Sequence, residues 1–283
     1  MRKRFDIRLR NGRSLTLGER TVVVGVLNVT PDSFSDGGEH FDTARAVDRA
    51  LQMEADGADI IEVGGESTRP GALPVPAAEE IARIGPVLRA LAGRLRVPVA
   101  VDTYKSEVAR AAIELGAGIL NDVSALRFDP ALADVAAREG APLVLMHMRG
   151  DPATMQAIEP SRDIFSEIES DLRKALSEAA SRGVDRDRII IDPGVGFGKT
   201  LEQNLAILNN LDRLAGLDMP IMVGTSRKSF IGRLTGRPPQ ERIFGTAASV
   251  AVAIARGAHI VRVHDVGEMV EVARITDAII GAQ

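Results

Sequence analysis

A chain of 283 residues with 35 basic and 39 acidic side chains carries a formal charge of −4, which gives no electrostatic footprint for nucleic acid. Hydrophobic residues make up 45% and charged residues 26%, the balance of an ordinary folded protein and not of a disordered one. The absence of cysteine excludes disulfides, thiolate zinc sites and a cysteine nucleophile, and it suits a reducing cytoplasm.

The basic start, MRKRFDIRLRNGRSL, has no apolar run behind it, so it does not read as a secretory signal. No stretch approaches the roughly 18 apolar residues of a membrane span. The expectation is a cytoplasmic protein with no membrane partner. Residues 1–20 read as a hairpin. Phe5, Ile7 and Leu9 alternate with Asp6, Arg8 and Arg10, Asn11-Gly12 supplies the turn, and Leu15 and Leu17 resume the alternation.

Short apolar runs then recur at 21–27, 59–63, 97–101, 118–120, 142–146, 188–191, 220–223 and 259–263. Many are apolar on both faces, as strands of a buried parallel sheet must be. Helical periodicity lies between them, at 43–56, 77–92, 105–115, 130–138, 161–181, 201–211, 240–255 and 266–280. Pro86 should kink the second of these helices or start a new turn in it. Eight strand–helix units predict an α/β fold, a (β/α)8 TIM barrel, with residues 1–283 as one domain. The N-terminal β-hairpin then lies outside the eightfold pattern and closes the N-terminal end of the barrel. A doubly wound open sheet is the structural rival.

Barrel enzymes place their chemistry at the C-terminal ends of the strands. Polar residues gather there in this sequence: Asn28, Glu62, Asp102, Asn121, Asp122, His147, Asp192, Ser226, Arg227, Lys228, Arg262 and His264. Singly they are weak signals. An Asp after a strand is most often a cap or turn residue, and Asp122 fits that description. His147 alone reads as a structural histidine, and Glu62 as a partner for Lys228 or another cation inside the barrel. Convergence of eight strand ends is the stronger signal. Short acceptors at Asp102, Asn121 and Asp192 can read the donor edge of a flat heterocycle. Lys228 and Arg262 are donors, and Asn28, Arg69, Arg262 and His264 offer charge or hydrogen bonds to an anion.

Two loops, 30–38 and 67–71, combine Pro, Gly and small hydroxyl residues and are candidate lids. The run 192–200, DPGVGFGKT, looks like a phosphate-binding P-loop but has Pro193 where that motif needs glycine. No His-x-x-x-His pair or acidic cluster of metal type is visible in the sequence. The metal signal is Asn28, a neutral oxygen suited to Mg2+ held mostly by substrate phosphates and water.

In order and at consistent spacing, the segments 25–38 (GVLNVTPDSFSDGG), 66–71 (ESTRPG), 121–124 (NDVS), 192–194 (DPG), 226–230 (SRKSF) and 262–264 (RVH) resemble the dihydropteroate synthases. The resemblance runs from about Val22 to Asp265. It implies condensation of (7,8-dihydropterin-6-yl)methyl diphosphate with 4-aminobenzoate, giving 7,8-dihydropteroate and diphosphate in folate synthesis, by an SN1-like path. It further implies that Asp102, Asn121, Asp192 and Lys228 hold the pterin, and that Arg262 stacks on it and reaches the phosphates. Asn28, touching Mg2+, and His264 would meet the diphosphate, with Thr68 near both substrates. Pro70, Phe197, Ser226, Arg227 and Lys228 would border the aminobenzoate pocket, where sulfonamides should bind. Arg69 and Val263 complete the implied substrate-binding set. Asp102, Lys228, Arg262 and His264 form the catalytic one. The implied partners are small molecules, with a homodimer as the assembly. The rivals are a corrinoid-dependent methyltetrahydrofolate methyltransferase and a non-catalytic pterin-binding protein.

Overall fold

The computed structural model describes residues 2–30, 39–69 and 71–282. The alternating N-terminal segment folds as an antiparallel hairpin, β1 (Phe5–Arg8) against β2 (Ser14–Leu17), with Phe5 opposite Leu17 and Ile7 opposite Leu15. Its turn needs Gly12, which sits at φ +78°, and the Asn11 side-chain oxygen accepts the Arg13 N–H at 3.0 Å.

Eight parallel strands follow: β3 (Val22–Asn28), β4 (Ile60–Gly64), β5 (Val99–Asp102), β6 (Ile119–Asp122), β7 (Leu143–Met146), β8 (Ile189–Asp192), β9 (Met222–Gly224) and β10 (Ile260–Val263). Strands β3 to β8 pair in chain order, and β10 lies between β9 and β3. A bridge from Ile191 to Ile221, with the Ile191 N–H on the Pro220 carbonyl at 3.0 Å, joins β8 to the start of β9. The sheet therefore closes on itself as a (β/α)8 barrel. An open doubly wound sheet would leave two free edges.

Around it lie α1 (Glu39–Ala55), α2 (Ala77–Leu91), α3 (Ser106–Glu114), α4 (Ala131–Glu139), α5 (Ile164–Ser181), α6 (Leu201–Asn209), α7 (Ser229–Thr235), α8 (Ile243–Ala255) and α9 (Val266–Gly281). The start of α6 is a capping box: Thr200 accepts from the Gln203 backbone, and the Gln203 side chain accepts from Thr200. Helix α2 runs through Pro86 as one element, so of the two expectations, a kink or a new turn, no new helix begins there. Gly85 precedes it and has no Cβ to clash with the proline ring. The sequence gives no sign of α7, because seven residues are too few to display a helical period. No helix among the described residues is long and apolar enough to cross a membrane.

Strand residues alternate between two apolar layers. Outward-facing Ile61, Val101, Leu120, Ile191, Val223 and Val261 pack beneath the helices. Inward-facing Val24, Ile60, Ala100, Ile119, Val144, Ile190, Met222 and Ile260 fill the lower barrel, and Ile7 and Leu17 of the hairpin plug it from below. Each of those two plugs is almost fully buried, which stabilises the closure by about 1.5–3 kcal/mol per side chain. The hairpin thus closes the N-terminal end, as its place in the sequence suggested.

Candidate active site at the mouth of the barrel

The period of two that buries Ile60, Ala100, Ile119, Ile190 and Ile260 also aims the residues two positions on, Glu62, Asp102, Asn121, Asp192 and Arg262, into the same interior. Apolar floor therefore gives way to a polar layer one step nearer the C-terminal ends. Register places Asn28 opposite Gly64, Gly64 opposite Asp102, and Asp102 opposite Asn121. Across the ring, Arg262 lies between Val24 and Gly224. The two glycines leave room beside these groups. A Cβ on Gly64 would stand 3.5 Å from the Asp102 side chain and 3.9 Å from Asn28 Oδ1, and one on Gly224 would stand 3.8 Å from Lys228 Nζ.

Arg262 organises the layer. Its guanidinium pairs with Glu62 and, at 2.7 Å, with Asp102 Oδ2. Glu62 Oε2 accepts from Asn121 Nδ2 at 2.8 Å. Glu62 therefore pairs with Arg262 and Asn121, not with Lys228. These contacts use up the donors and leave acceptors bare: Asp102 Oδ1 and Asn121 Oδ1 are buried with no hydrogen-bond partner. Asp192 is buried nearby, and its Oδ1 accepts only the Gly194 N–H at 2.6 Å. A ligand presenting N–H groups would satisfy this set.

Electrostatics follow from burial. Desolvation raises Asp102 to about 8, with the Glu62 charge adding to the rise and Arg262 opposing it. Asp192 is also raised by burial, against the pull of Lys228. Burial lowers Lys228 to about 8, with Asp192 resisting and Arg262 assisting. Burial works against the Arg262 charge too, but Glu62 and Asp102 outweigh it and hold the guanidinium above its ordinary value. His264 is pushed down to about 4 by burial and by the Arg262 and Arg227 cations. It is thus neutral at pH 7 and adds hydrogen bonding, not charge, to the field that the sequence assigns to it.

The loops after β8 and β9 hold the remaining groups. Lys228 donates to the Val195 carbonyl and lies 4.5 Å above the centre of the Phe197 ring. The 194–198 loop that carries both contacts is tight, with Gly194, Gly196 and Gly198 at φ +65°, +89° and +66°. Lys199, buried, points back into this loop and donates to the carbonyls of Gly194 at 2.8 Å, Phe197 at 3.1 Å and His147 at 3.3 Å. The lysine of the near-miss P-loop therefore braces the loop from behind. Ser226 Oγ meets His264 Nδ1 at 2.9 Å.

Arg227 adopts φ +58°, a strained conformation for a side chain with a Cβ. An ion pair to Asp265, the Thr246 hydroxyl on its N–H at 3.1 Å, and Arg242 on its carbonyl at 2.9 Å hold it there.

The predicted set is thus only partly gathered. Asp102, Asn121, Asp192, Lys228 and Arg262 share one interior, with Phe197, Ser226 and His264 at its rim. Asn28 and Thr68 are half-buried, and Arg69 is exposed on the loop after β4. Val263 does not face the pocket: it is buried in the outer layer between sheet and helices, because it alternates with Arg262. Asp122 also turns away and caps the next turn, accepting from the N–H groups of Ser124 and Leu126 at 2.7 and 2.6 Å. Pro70 and loop residues 31–38 lie outside the described residues. Sequence reasoning missed the bracing roles of Lys199 and Arg242. Only the glycine string 194–198 hinted at the first, and nothing local to Arg242 hinted at the second.

Residues 24–264 match the family profile of the pterin binding enzymes. The dihydropteroate synthase of Synechocystis sp. is 46% identical over 263 residues, covering 93% of this chain and 91% of the relative. The solved dihydropteroate synthase of Xanthomonas albilineans with 4-aminobenzoic acid is 43% identical, with a TM-score of 0.91 and 100% of both chains covered. The Yersinia pestis dihydropteroate synthase, solved with a sulfonamide drug complex, is 41% identical with a TM-score of 0.91, covering 98% of this chain and 100% of that one. On a match that spans nearly the whole barrel, this chain belongs to the pterin binding enzyme family, among its dihydropteroate synthases.

Proposed function

We propose that this protein is a dihydropteroate synthase that displaces diphosphate from (7,8-dihydropterin-6-yl)methyl diphosphate with 4-aminobenzoate. The observation that carries the reading is the pair of bare, buried acceptors, Asp102 Oδ1 and Asn121 Oδ1, beside Asp192. The N–H edge of a pterin supplies the missing donors, and Lys228 and Arg262 complete the ring's surroundings.

Chemistry follows from charge. The bond from the methylene carbon to the diphosphate oxygen breaks first, and its electron pair leaves with the diphosphate. The cation left on the pterin methylene lies near Asp102, whose ionised carboxylate stabilises it. Arg262 and neutral His264 donate to the departing diphosphate. The lone pair of the arylamine then forms the C–N bond, and the amine proton passes to solvent. No strong base is required, because the arylamine is neutral at pH 7. Binding of the polyanion raises the pKa of His264 and strengthens its donor role.

Asn28 is the residue that would hold Mg2+. Its half-buried amide oxygen borders the gap at Gly64. A single neutral ligand suits an ion carried mainly by phosphates and water, and when bound that ion would neutralise diphosphate charge. The aminobenzoate lies against Phe197, Ser226, Arg227 and the 67–71 segment, and a sulfonamide occupies the same place.

Two further expectations belong to this reading. Exposed Leu234, Phe244, Val252, Ile275 and Ile279 on α7, α8 and α9 form the contact of a homodimer. The cysteine-free chain works in the cytoplasm.

The test is diphosphate release from the pterin diphosphate with Mg2+, with and without 4-aminobenzoate, in wild type and Asp192→Ala. Release that needs Asp192, with dihydropteroate formed when the amine is present, supports the synthase. Slow release without amine supports the dissociative path. Tight pterin binding without release would leave a methyl-transfer or purely binding site.

A further inference from the structure

Outside the pocket, where β7 ends against α5, a histidine stands without partners. His147 is 2% exposed, and neither ring nitrogen has a hydrogen-bond partner. A neutral imidazole has one donor and one acceptor, and burying both unpaired is costly. The His147 Nε2 faces Asp171 Oδ2 at 3.6 Å, too far for a hydrogen bond.

Glu167 lies one helical turn before Asp171 on α5, so the two carboxylates share a face. One ligand atom from each of His147, Glu167 and Asp171 lies within 4.8 Å of the others. Each carboxylate commits one oxygen to a cation. Glu167 Oε1 accepts from Arg149 at 2.7 Å, and Asp171 Oδ1 accepts from Lys174 at 2.9 Å. The oxygen of Asp171 turned to His147 is the other one.

We propose that His147, Glu167 and Asp171 form a second metal site, for a divalent transition ion of the zinc type. One imidazole nitrogen and two carboxylate oxygens suit Zn2+ better than Mg2+, and a water completes the shell. The two acidic side chains are about one-third exposed, 32% and 36%, so they have freedom to close in on an ion. Arg149 and Lys174 lower the negative potential and set a moderate affinity. The ion would tie α5 to a strand end that matters, because the His147 N–H donates to the Asp192 carbonyl at 2.9 Å and its own carbonyl accepts from Lys199.

The experiment titrates Zn2+ into the untagged, EDTA-stripped full chain by calorimetry, with Co2+ as the optical probe and the melting temperature read alongside. Wild type should bind one equivalent, give a Co2+ spectrum of nitrogen and oxygen ligation, and melt higher as Zn2+ rises. Asp171→Asn and His147→Gln should each weaken binding by at least about tenfold. The Asp171 change is on a side chain about one-third exposed, so the variant keeps the fold, verified by circular dichroism. Equal binding by Asp171→Asn and wild type overturns the proposal. So does loss of the bound equivalent in His264→Gln with His147→Gln unaffected, which would put the ion in the substrate pocket.

Discussion

Glu62→Gln tests the electrostatic layer most directly. Nη2 of Arg262 touches Glu62 and lies 2.7 Å from Asp102 Oδ2, so the two carboxylates share one nitrogen. At a separation of about 5 Å and an effective dielectric near 20, the Glu62 charge is worth about 3 kcal/mol to the Asp102 proton, or about two pKa units. Removing that charge should bring Asp102 down from about 8 toward about 6. Stability should fall by about 2 kcal/mol, because Arg262 keeps Asp102 as a partner and the buried cation is not stranded.

The assay is kcat/KM against pH, with carboxyl 13C NMR of labelled aspartate as the direct check. If ionised Asp102 is required, the acid limb of the profile moves about two units toward lower pH in the variant. An acid limb that stays in place while the variant remains folded would refute the account of Asp102 as a carboxylate held protonated by Glu62 and burial.

In wild type, kcat/KM should rise as Asp102 loses its proton and fall as Lys228 loses its own, both near 8, giving a maximum there. A rate that keeps climbing to pH 10 removes the charged form of Lys228 from the mechanism. Because His264 titrates only near 4, no limb belonging to it should appear between pH 5 and 7. Gly194→Ala places a Cβ 1.9 Å from the His147 carbonyl at φ +65° and should lower stability by about 3 kcal/mol or more in chemical denaturation. A smaller loss means that the loop can shift. Phe244 is 86% exposed, so Phe244→Asp should change folding stability by no more than about 0.5 kcal/mol while converting a dimer to monomer in sedimentation velocity. An unchanged sedimentation coefficient assigns the apolar face another role.

Much of the barrel was legible because its signals are local. Strands such as Val99–Asp102 and Ile189–Asp192 are continuous apolar runs ending in a polar residue, and both ends fall within two residues of the expectation. Asp102, Asn121, Asp192 and Arg262 were legible for the same reason, since strand ends in a barrel must converge. Val263 was misplaced, although the alternation that turns it outward is readable from its neighbour Arg262. Partners were less legible than positions. Which cation Glu62 meets depends on the radial order of eight strands and on side-chain length. The grouping of His147 with Glu167 and Asp171 crosses a loop and one turn of helix, so no spacing rule announces it. The bracing by Lys199 and Arg242 runs to backbone carbonyls, which every residue has.

The hairpin plug has a kinetic consequence. With Ile7 and Leu17 sealing the floor, the site is reached, among the described residues, from the strand ends. The acceptors at Asp102 and Asn121 lie in the strands themselves, while Phe197 and Ser226 follow on the loops after β8 and β9. Two molecules sharing one doorway must queue: the one bound deeper enters first. Steady-state patterns should be sequential and ordered, and an analogue held at the rim should trap its deeper neighbour inside.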